Sequence, residues 1–267
     1  MVAQKITVVG AGRMGTALIT GWLTRRSRPH ITIVDPEPSA LILATVEEEK
    51  LKLNPEPSPA DVLVLCVKPQ IFRSVSKSLT GWIGPKTLVV SIMAGIRLKQ
   101  LTAHLETERV VRAMPNTPGA IGRGVTAICT PDDLAKKDLT TTERLLKPLG
   151  YVEGPLPETQ ISAITALSGS GPAYLFLLVD ALAGAGEAEG LDPKLAERLA
   201  RETVIGAAAL LEESGASPDD LRKAVTSKGG TTEAALDILM RGDGMPSLLR
   251  EAVRAAATRE RALSSET

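Results

Sequence analysis

Three glycines and a carboxylate carry the first chemistry legible in the chain. Val8-Val9-Gly10-Ala11-Gly12-Arg13-Met14-Gly15 fits G-x-G-x-x-G directly after an apolar β-branched run, and Thr16-Ala17-Leu18-Ile19 continues at helical spacing. Gly10 allows a tight turn, Gly12 lets a pyrophosphate approach the backbone, and Gly15 lets helix and strand pack, while the open amides and dipole of the helix start attract the anion. Asp35 closes a second run twenty residues after Gly15, where a carboxylate binds the ribose hydroxyls of an adenosine. A dinucleotide site built on Gly10, Ala11, Gly12, Arg13, Met14, Gly15 and Asp35 is expected. Asp35 equally fits an Asx turn over Asp35-Pro36-Glu37-Pro38. A carboxylate there repels a 2'-phosphate, and Arg25, Arg26 and Arg28 precede the second run, toward the wrong edge of a sheet. Position alone therefore leans to NADH, with Ser39 as a hydroxyl that would help hold a phosphate.

Further segments follow later apolar runs. Val67-Lys68-Pro69 would emerge at the carboxyl edge of a sheet, where open α/β folds bind ligands, or leave Lys68 as a plain loop cation. Met114-Pro115-Asn116-Thr117-Pro118 makes a loop stiffened by two prolines, beside the expected nicotinamide or merely a rigid turn. Ser168-Gly169-Ser170-Gly171-Pro172 opens a long helix with small residues that would admit a flat ligand, or with serines that cap it. Ser227-Lys228-Gly229-Gly230-Thr231-Thr232 leads into another helix and suits a small carboxylate, with N-capping as the alternative, which Glu233 in the first turn favours. The two histidines, His30 and His104, stand alone, so no metal site and no Ser/His/Asp nucleophile is expected.

The elements that must position these residues are periodic. Runs 6–9, 31–34, 62–67, 88–92, 110–113 and 125–128 alternate with helical stretches and are apolar nearly throughout, as in a parallel sheet covered by helices on both faces. After Gly154-Pro155-Leu156-Pro157 the β-branched runs stop. Helices are expected at 172–189, 194–213, 218–226, 232–241 and 247–263, with Gly190, Gly215 and Gly242 as stops. The expected fold is an α/β Rossmann-type doubly wound parallel sheet over residues 1–155, followed by an all-α dimerisation domain over 156–267. Ala181-Leu182-Ala183-Gly184-Ala185-Gly186 would allow close helix approach, within the domain or between subunits.

Composition agrees. The 267 residues hold 31 Lys+Arg against 31 Asp+Glu, 43% hydrophobic residues and six aromatics (2 Trp, 2 Tyr, 2 Phe), which argues against nucleic acid as a partner and against a disordered polyelectrolyte. Two cysteines, Cys66 and Cys129, make no disulfide framework and read as reduced core residues. The start of the chain leaves no room for a signal peptide, and the uninterrupted apolar runs 62–67 and 173–179 fall short of the ~20 residues of a membrane span. A soluble cytoplasmic protein is expected.

The glycine fingerprint, Val67-Lys68-Pro69, Arg112-Ala113-Met114-Pro115-Asn116-Thr117-Pro118, Ala166-Leu167-Ser168-Gly169-Ser170-Gly171-Pro172-Ala173-Tyr174, Thr226-Ser227-Lys228-Gly229-Gly230-Thr231-Thr232 and Ser247-Leu248-Leu249-Arg250-Glu251-Ala252 together resemble pyrroline-5-carboxylate reductases, in family order over essentially the whole chain. The resemblance implies reduction of the cyclic imine 1-pyrroline-5-carboxylate to L-proline by hydride from NADPH or NADH, the final step of proline synthesis, by homodimers that assemble into decamers. It implies that Thr232 hydrogen-bonds the ring nitrogen and that the amides of Gly229, Gly230 and Thr231 hold the carboxylate, with Ser227 and Ser168 beside the substrate. Asn54, Val67, Lys68, Pro69, Ala94, Met114, Pro115 and Asn116 complete the expected cofactor set. Lys228 departs from the pattern: it stands where the family has Pro, which loosens the loop and brings a cation to it. No catalytic histidine is needed, because a protonated imine is already electrophilic and hydride transfer mostly requires positioning. A β-hydroxyacid dehydrogenase would need a lysine base, and neither Lys194 nor Lys223 has the glycine-rich helix context for it; a non-catalytic dinucleotide sensor would differ by lack of turnover.

Overall fold

Continuous apolar runs make strands that are buried on both faces, and eight strands form one sheet in the order β3-β2-β1-β4-β5-β6-β7-β8. A computed structural model describes residues 4–266, with side chains as far as Ser264. The strands are β1 (Lys5–Val9), β2 (His30–Val34), β3 (Lys52–Leu53), β4 (Val62–Leu65), β5 (Leu88–Ser91), β6 (Val110–Met114), β7 (Gly124–Cys129) and β8 (Gly150–Glu153). Successive residues of β4 show why these runs do not alternate with polar positions. Val62 and Val64 join the core under helices α1 (Arg13–Leu23) and α5 (Lys136–Leu146), through Leu18, Ile19, Trp22, Leu145 and Leu146. Leu63 and Leu65 point the other way, into Phe72 of α3 (Pro69–Val75), Leu79, Trp82, and Leu101 and Leu105 of α4 (Leu98–Leu105).

The sheet differs from the expected all-parallel one at β7, which runs antiparallel to β6. Only a 3₁₀ turn, Thr117–Ile121, lies between the two strands. That is too short for the crossover that parallel neighbours require. The chain regains the parallel direction through α5, and β8 pairs with β7 in parallel. The periodicity gave no sign of β3, which has two residues, or of Gly150-Tyr151-Val152-Glu153, which has one β-branched residue.

Contacts divide the chain into two compact units, residues 1–169 with 256–267, and residues 170–255. In the first unit a buried ionic cluster fastens the C-terminal residues to the sheet. Arg112 of β6 is 1% exposed and pairs with Glu158 at 2.9 Å and Glu260 at 3.3 Å. Glu260 also accepts hydrogen bonds from Ser162 and Ser264. Burial pushes the Cys129 thiol, on neighbouring β7, up to about 11.

The second unit is helical: α7 (Gly171–Ala188), α8 (Pro193–Ser214), α9 (Pro218–Ala224), α10 (Thr231–Leu239) and the first part of α11 (Met245–Glu266). α8 and α9 are capped by Asp192 and Ser217, whose side chains accept from the amides of Leu195 and Asp220. Gly190 and Gly215 take positive φ (91° and 62°) and stop their helices as expected. Gly242 does not: α10 already ends at Leu239, with Met240 as its C-cap. Of the small residues near the end of α7, Ala183 is buried and Gly186 packs on α8, where a Cβ on it would lie 3.3 Å from that of Ala196, while Ala181, Gly184 and Ala185 are exposed. Leu175, Phe176, Leu177 and Leu182 of the same helix are exposed.

The long helix begins earlier than Ser168. α6 (Ile161–Ile164) runs into a π-helical turn, Thr165–Gly169, and then α7. The helical stretch Glu158–Ala188, 31 residues, is by length and composition alone long and apolar enough to cross a membrane, which the uninterrupted runs had not suggested.

Arg112→Ala leaves Glu260 buried without its cation. A loss of about 3–5 kcal/mol of stability in urea denaturation is expected; a loss under 1 kcal/mol would show that the cluster contributes little.

Candidate functional site at the carboxyl edge of the sheet

Register fixes which loops meet at this edge. Val9 pairs with Val34 and with Leu65, Leu65 with Ser91, and Ser91 with Arg112. Gly10, Asp35, Cys66 and Ile92 therefore leave the sheet at one level, that of Ala113 near the end of β6, and β1 between β2 and β4 is the point where the strand order reverses.

The glycine loop has the geometry a pyrophosphate requires. Gly10 takes φ +89°, and a Cβ there would lie 2.9 Å from the Cys66 carbonyl. A Cβ on Gly15 would sit 2.3 Å from the Gly10 oxygen, whereas one on Gly12 would meet nothing within 4 Å. Gly12 is the N-cap of α1, with no side chain capping the helix, so its first amides face open space. The Thr16 hydroxyl donates to the Ala11 carbonyl at 2.9 Å and fixes the turn. Arg13 and Gly12 are exposed, Met14 is half-buried, and Ala11 is buried. The residues present fit a dinucleotide.

Asp35 shows the Asx geometry and more. Oδ1 accepts from the Glu37 amide at 2.9 Å, and Oδ2 accepts from the Ala11 amide at 2.7 Å. Asn54, at φ 45°, spends its carboxamide on the backbone of the same residue. Its Oδ1 accepts from the Asp35 amide at 2.8 Å, and its Nδ2 donates to the Asp35 carbonyl at 2.7 Å. The bond from Asp35 across to the glycine loop was not legible, because it joins residues on different strands.

After β4, Val67 is half-buried, Lys68 is the exposed N-cap of α3, and Pro69 starts that helix. Cys66 lies beneath the glycine loop, and burial pushes its thiol up to about 12. Ala94 is exposed beyond β5. Beyond β6, Met114 and Pro115 are half-buried, and the Asn116 carboxamide is internal: Nδ2 donates to the Ser168 carbonyl at 2.9 Å and Oδ1 accepts from the Val125 amide at 2.9 Å. Ser168 is no cap, since it lies in the π turn and its hydroxyl donates to the Ile164 carbonyl at 3.0 Å. Ser170 likewise makes no capping bond.

The Ser227–Thr232 loop belongs to the helical unit. Gly230 is the N-cap of α10, Thr231 its first residue and Thr232 its second, so neither threonine caps. Among the described residues the Thr232 hydroxyl has no hydrogen-bond partner, and the residue is half-buried. Gly229 takes φ +73°, and its amide, expected to be open, donates to Glu233 Oε2 at 2.6 Å. Gly230 closes the turn by donating to the Ser227 carbonyl at 3.0 Å, while Lys228 is exposed. Among the described residues no cluster of three metal-binding side chains occurs.

Residues 158–263 match the family model for pyrroline-5-carboxylate reductase dimerisation, and residues 5–95 that for coenzyme F420-dependent NADP oxidoreductases. The pyrroline-5-carboxylate reductase of Pseudomonas aeruginosa is 38% identical over 100% of this chain and 99% of its own length. The chain belongs to the pyrroline-5-carboxylate reductase family. The solved reductase of Coxiella burnetii superposes with a TM-score of 0.89 at 34% identity, covering 98% of each chain. That of Plasmodium falciparum, solved with NADP bound, gives 0.80 at 25% identity over 99% of each chain.

For this reductase-family chain, Gly12→Val adds a branched side chain where the structure has free space, over the helix start. Melting temperature should change little while NAD(P)H affinity, followed by nicotinamide fluorescence, falls at least ~10-fold. Unchanged affinity would remove the glycine loop from the cofactor site.

Proposed function

We propose that the chain reduces 1-pyrroline-5-carboxylate to L-proline with NAD(P)H, closing proline biosynthesis. The observation that carries this is the end-to-end match to curated reductases, 38% identity over the whole chain, on a fold whose glycine loop leaves the start of α1 uncapped. Bound NAD(P)H supplies the hydride for the imine carbon. The protonated imine accepts it and the ring nitrogen keeps its proton, so no strong acid or base is asked of the protein. The Thr232 hydroxyl, unpartnered among the described residues, is available for the ring nitrogen. The hydroxyl of Ser227 and the Thr231 amide are assigned to the substrate carboxylate, with Ser168 beside the substrate and the Gly230 amide joining once its bond to the Ser227 carbonyl yields. The Gly229 amide joins them once Glu233 lets it go.

The cofactor falls to residues 1–155, through Gly10–Gly15, Asp35, Asn54, Val67–Pro69, Ala94 and Met114–Asn116. Substrate and subunit contacts fall to residues 156–267. The dimerisation match and the exposed Leu175, Phe176, Leu177, Leu199 and Ile205 support a homodimer, and dimers assembling into decamers extend it. We assign the protein to the cytoplasm, with no membrane or nucleic-acid partner.

Consumption of reduced nicotinamide on adding pyrroline-5-carboxylate tests the reaction; tight dinucleotide binding without turnover would point to a sensor instead. Thr232→Ala should lower kcat by roughly 10- to 10³-fold while cofactor affinity is retained. Because Gly230 holds the cap position, stability should stay within about 0.5 kcal/mol. A destabilised, fully active variant would move the ring-nitrogen contact elsewhere.

A further inference from the structure

We propose that the adenosine end of the cofactor seat is built for a free 2'-hydroxyl, so that this chain takes NADH in preference to NADPH, with Asp35 as the specificity-determining carboxylate and Asn54 as the residue that positions it. The inference rests on the reading of the glycine loop as the cofactor site. It departs from what the P. falciparum relative carries, which is NADP.

Three observations converge. First, Asp35 follows β2 at the level where Gly10 follows β1, the place from which a carboxylate meets the ribose hydroxyls. Second, that carboxylate is held rather than mobile. The Ala11 and Glu37 amides each bind one of its oxygens, and Asn54 clasps the backbone of the same residue on both sides. A carboxylate has about four acceptor positions, so two amides leave capacity for both ribose hydroxyls. A phosphate ester at the 2' position removes one donor and brings charge of the same sign.

Third, the turn that follows offers no replacement cation. Pro36 and the exposed Glu37 come next, and Glu37 adds a second negative charge. Arg28 is engaged with Glu49 at 2.6 Å, at the end of α2 (Ala40–Glu49), and Lys50 caps that same end, away from Asp35. Lys52 is level with Thr32, three residues short of Asp35 along the strand direction. Lys68 follows β4, on the other side of β1 from β2. Arg13 is the first residue of α1, beside the glycine loop rather than in the turn after β2. Ser39, whose Oγ accepts from the Ile42 amide at 3.3 Å as the cap of α2, keeps its O–H free but brings no positive charge to a phosphate.

The test is binding, measured on the full chain without substrate. NADH and NADPH are titrated by nicotinamide fluorescence, and 5'-ADP and 2',5'-ADP by calorimetry. NADH should bind at least ~10-fold more tightly than NADPH, and 5'-ADP more tightly than 2',5'-ADP. Added salt should narrow both gaps by screening the repulsion. Asp35→Ser should shift the NADH/NADPH affinity ratio at least ~10-fold toward NADPH. Asn54→Gly keeps the positive φ accessible but removes the clasp; it should weaken NADH more than NADPH, whereas a merely structural role would weaken both equally. Equal or NADPH-favoured binding by the unaltered chain would overturn the proposal alone, as would an Asp35→Ser ratio that does not move. Failure of either dinucleotide to bind would overturn it together with the cofactor reading of the first unit.

Discussion

The carboxyl edge of the sheet depends on how closely α1 lies against the end of β1. A single methyl group on Gly15 would sit 2.3 Å from the Gly10 oxygen, and one on Gly10 would strike the Cys66 carbonyl at 2.9 Å. With these two positions bare, the turn after β1 is tight enough for α1 to start directly over the strand end, with its uncapped amides facing outward. Gly12 obeys a different rule, because nothing surrounds it. Two glycines are required by the protein's own packing, and the third by what must approach from outside.

That distinction explains which features could be read beforehand. Gly10, Gly12 and Gly15 lie within six residues of one another and next to an apolar run, so their joint meaning is local. The six apolar runs were equally legible, since a strand buried on both faces needs no partner to show its character. Direction was not. β7 looks like the strands before it, and only the brevity of the Thr117–Ile121 connection turns it antiparallel. β3 and β8 exist because neighbouring strands offer them a ladder, and their own composition says little. The buried Arg112 cluster is the extreme case: its members, Arg112, Glu158, Ser162, Glu260 and Ser264, span more than half of the chain, and each resembles an ordinary surface residue in sequence.

Among the residues expected at the site, the structure separates polar groups already bonded to the protein from those that remain available. The carboxamides of Asn54 and Asn116 and the hydroxyl of Ser168 have internal partners. They shape loops. Asp35 lies between the two groups, half satisfied by amides and half open. The Thr232 hydroxyl is unpartnered among the described residues. Spacing could suggest all of these positions, because each stands at a strand end or a helix start. It could not say whose hydrogen bonds were taken.

The helical unit poses the converse problem, apolar surface rather than polar atoms left over. Ala183, Ala196 and Ala200 are buried where α7 and α8 approach each other, yet Phe176 is 64% exposed and Leu177 67%. A bilayer would accept the length of the stretch Glu158–Ala188, but it would also receive the uncompensated carboxylates Asp180 and Glu187 and the polar π turn at Thr165–Gly169. A second protein surface accommodates such groups at its rim while covering the leucines and phenylalanine. The match of residues 158–263 to a dimerisation model agrees with that division. Small residues bring two helices of one chain together, and the large residues left outside then have a partner chain as their natural cover.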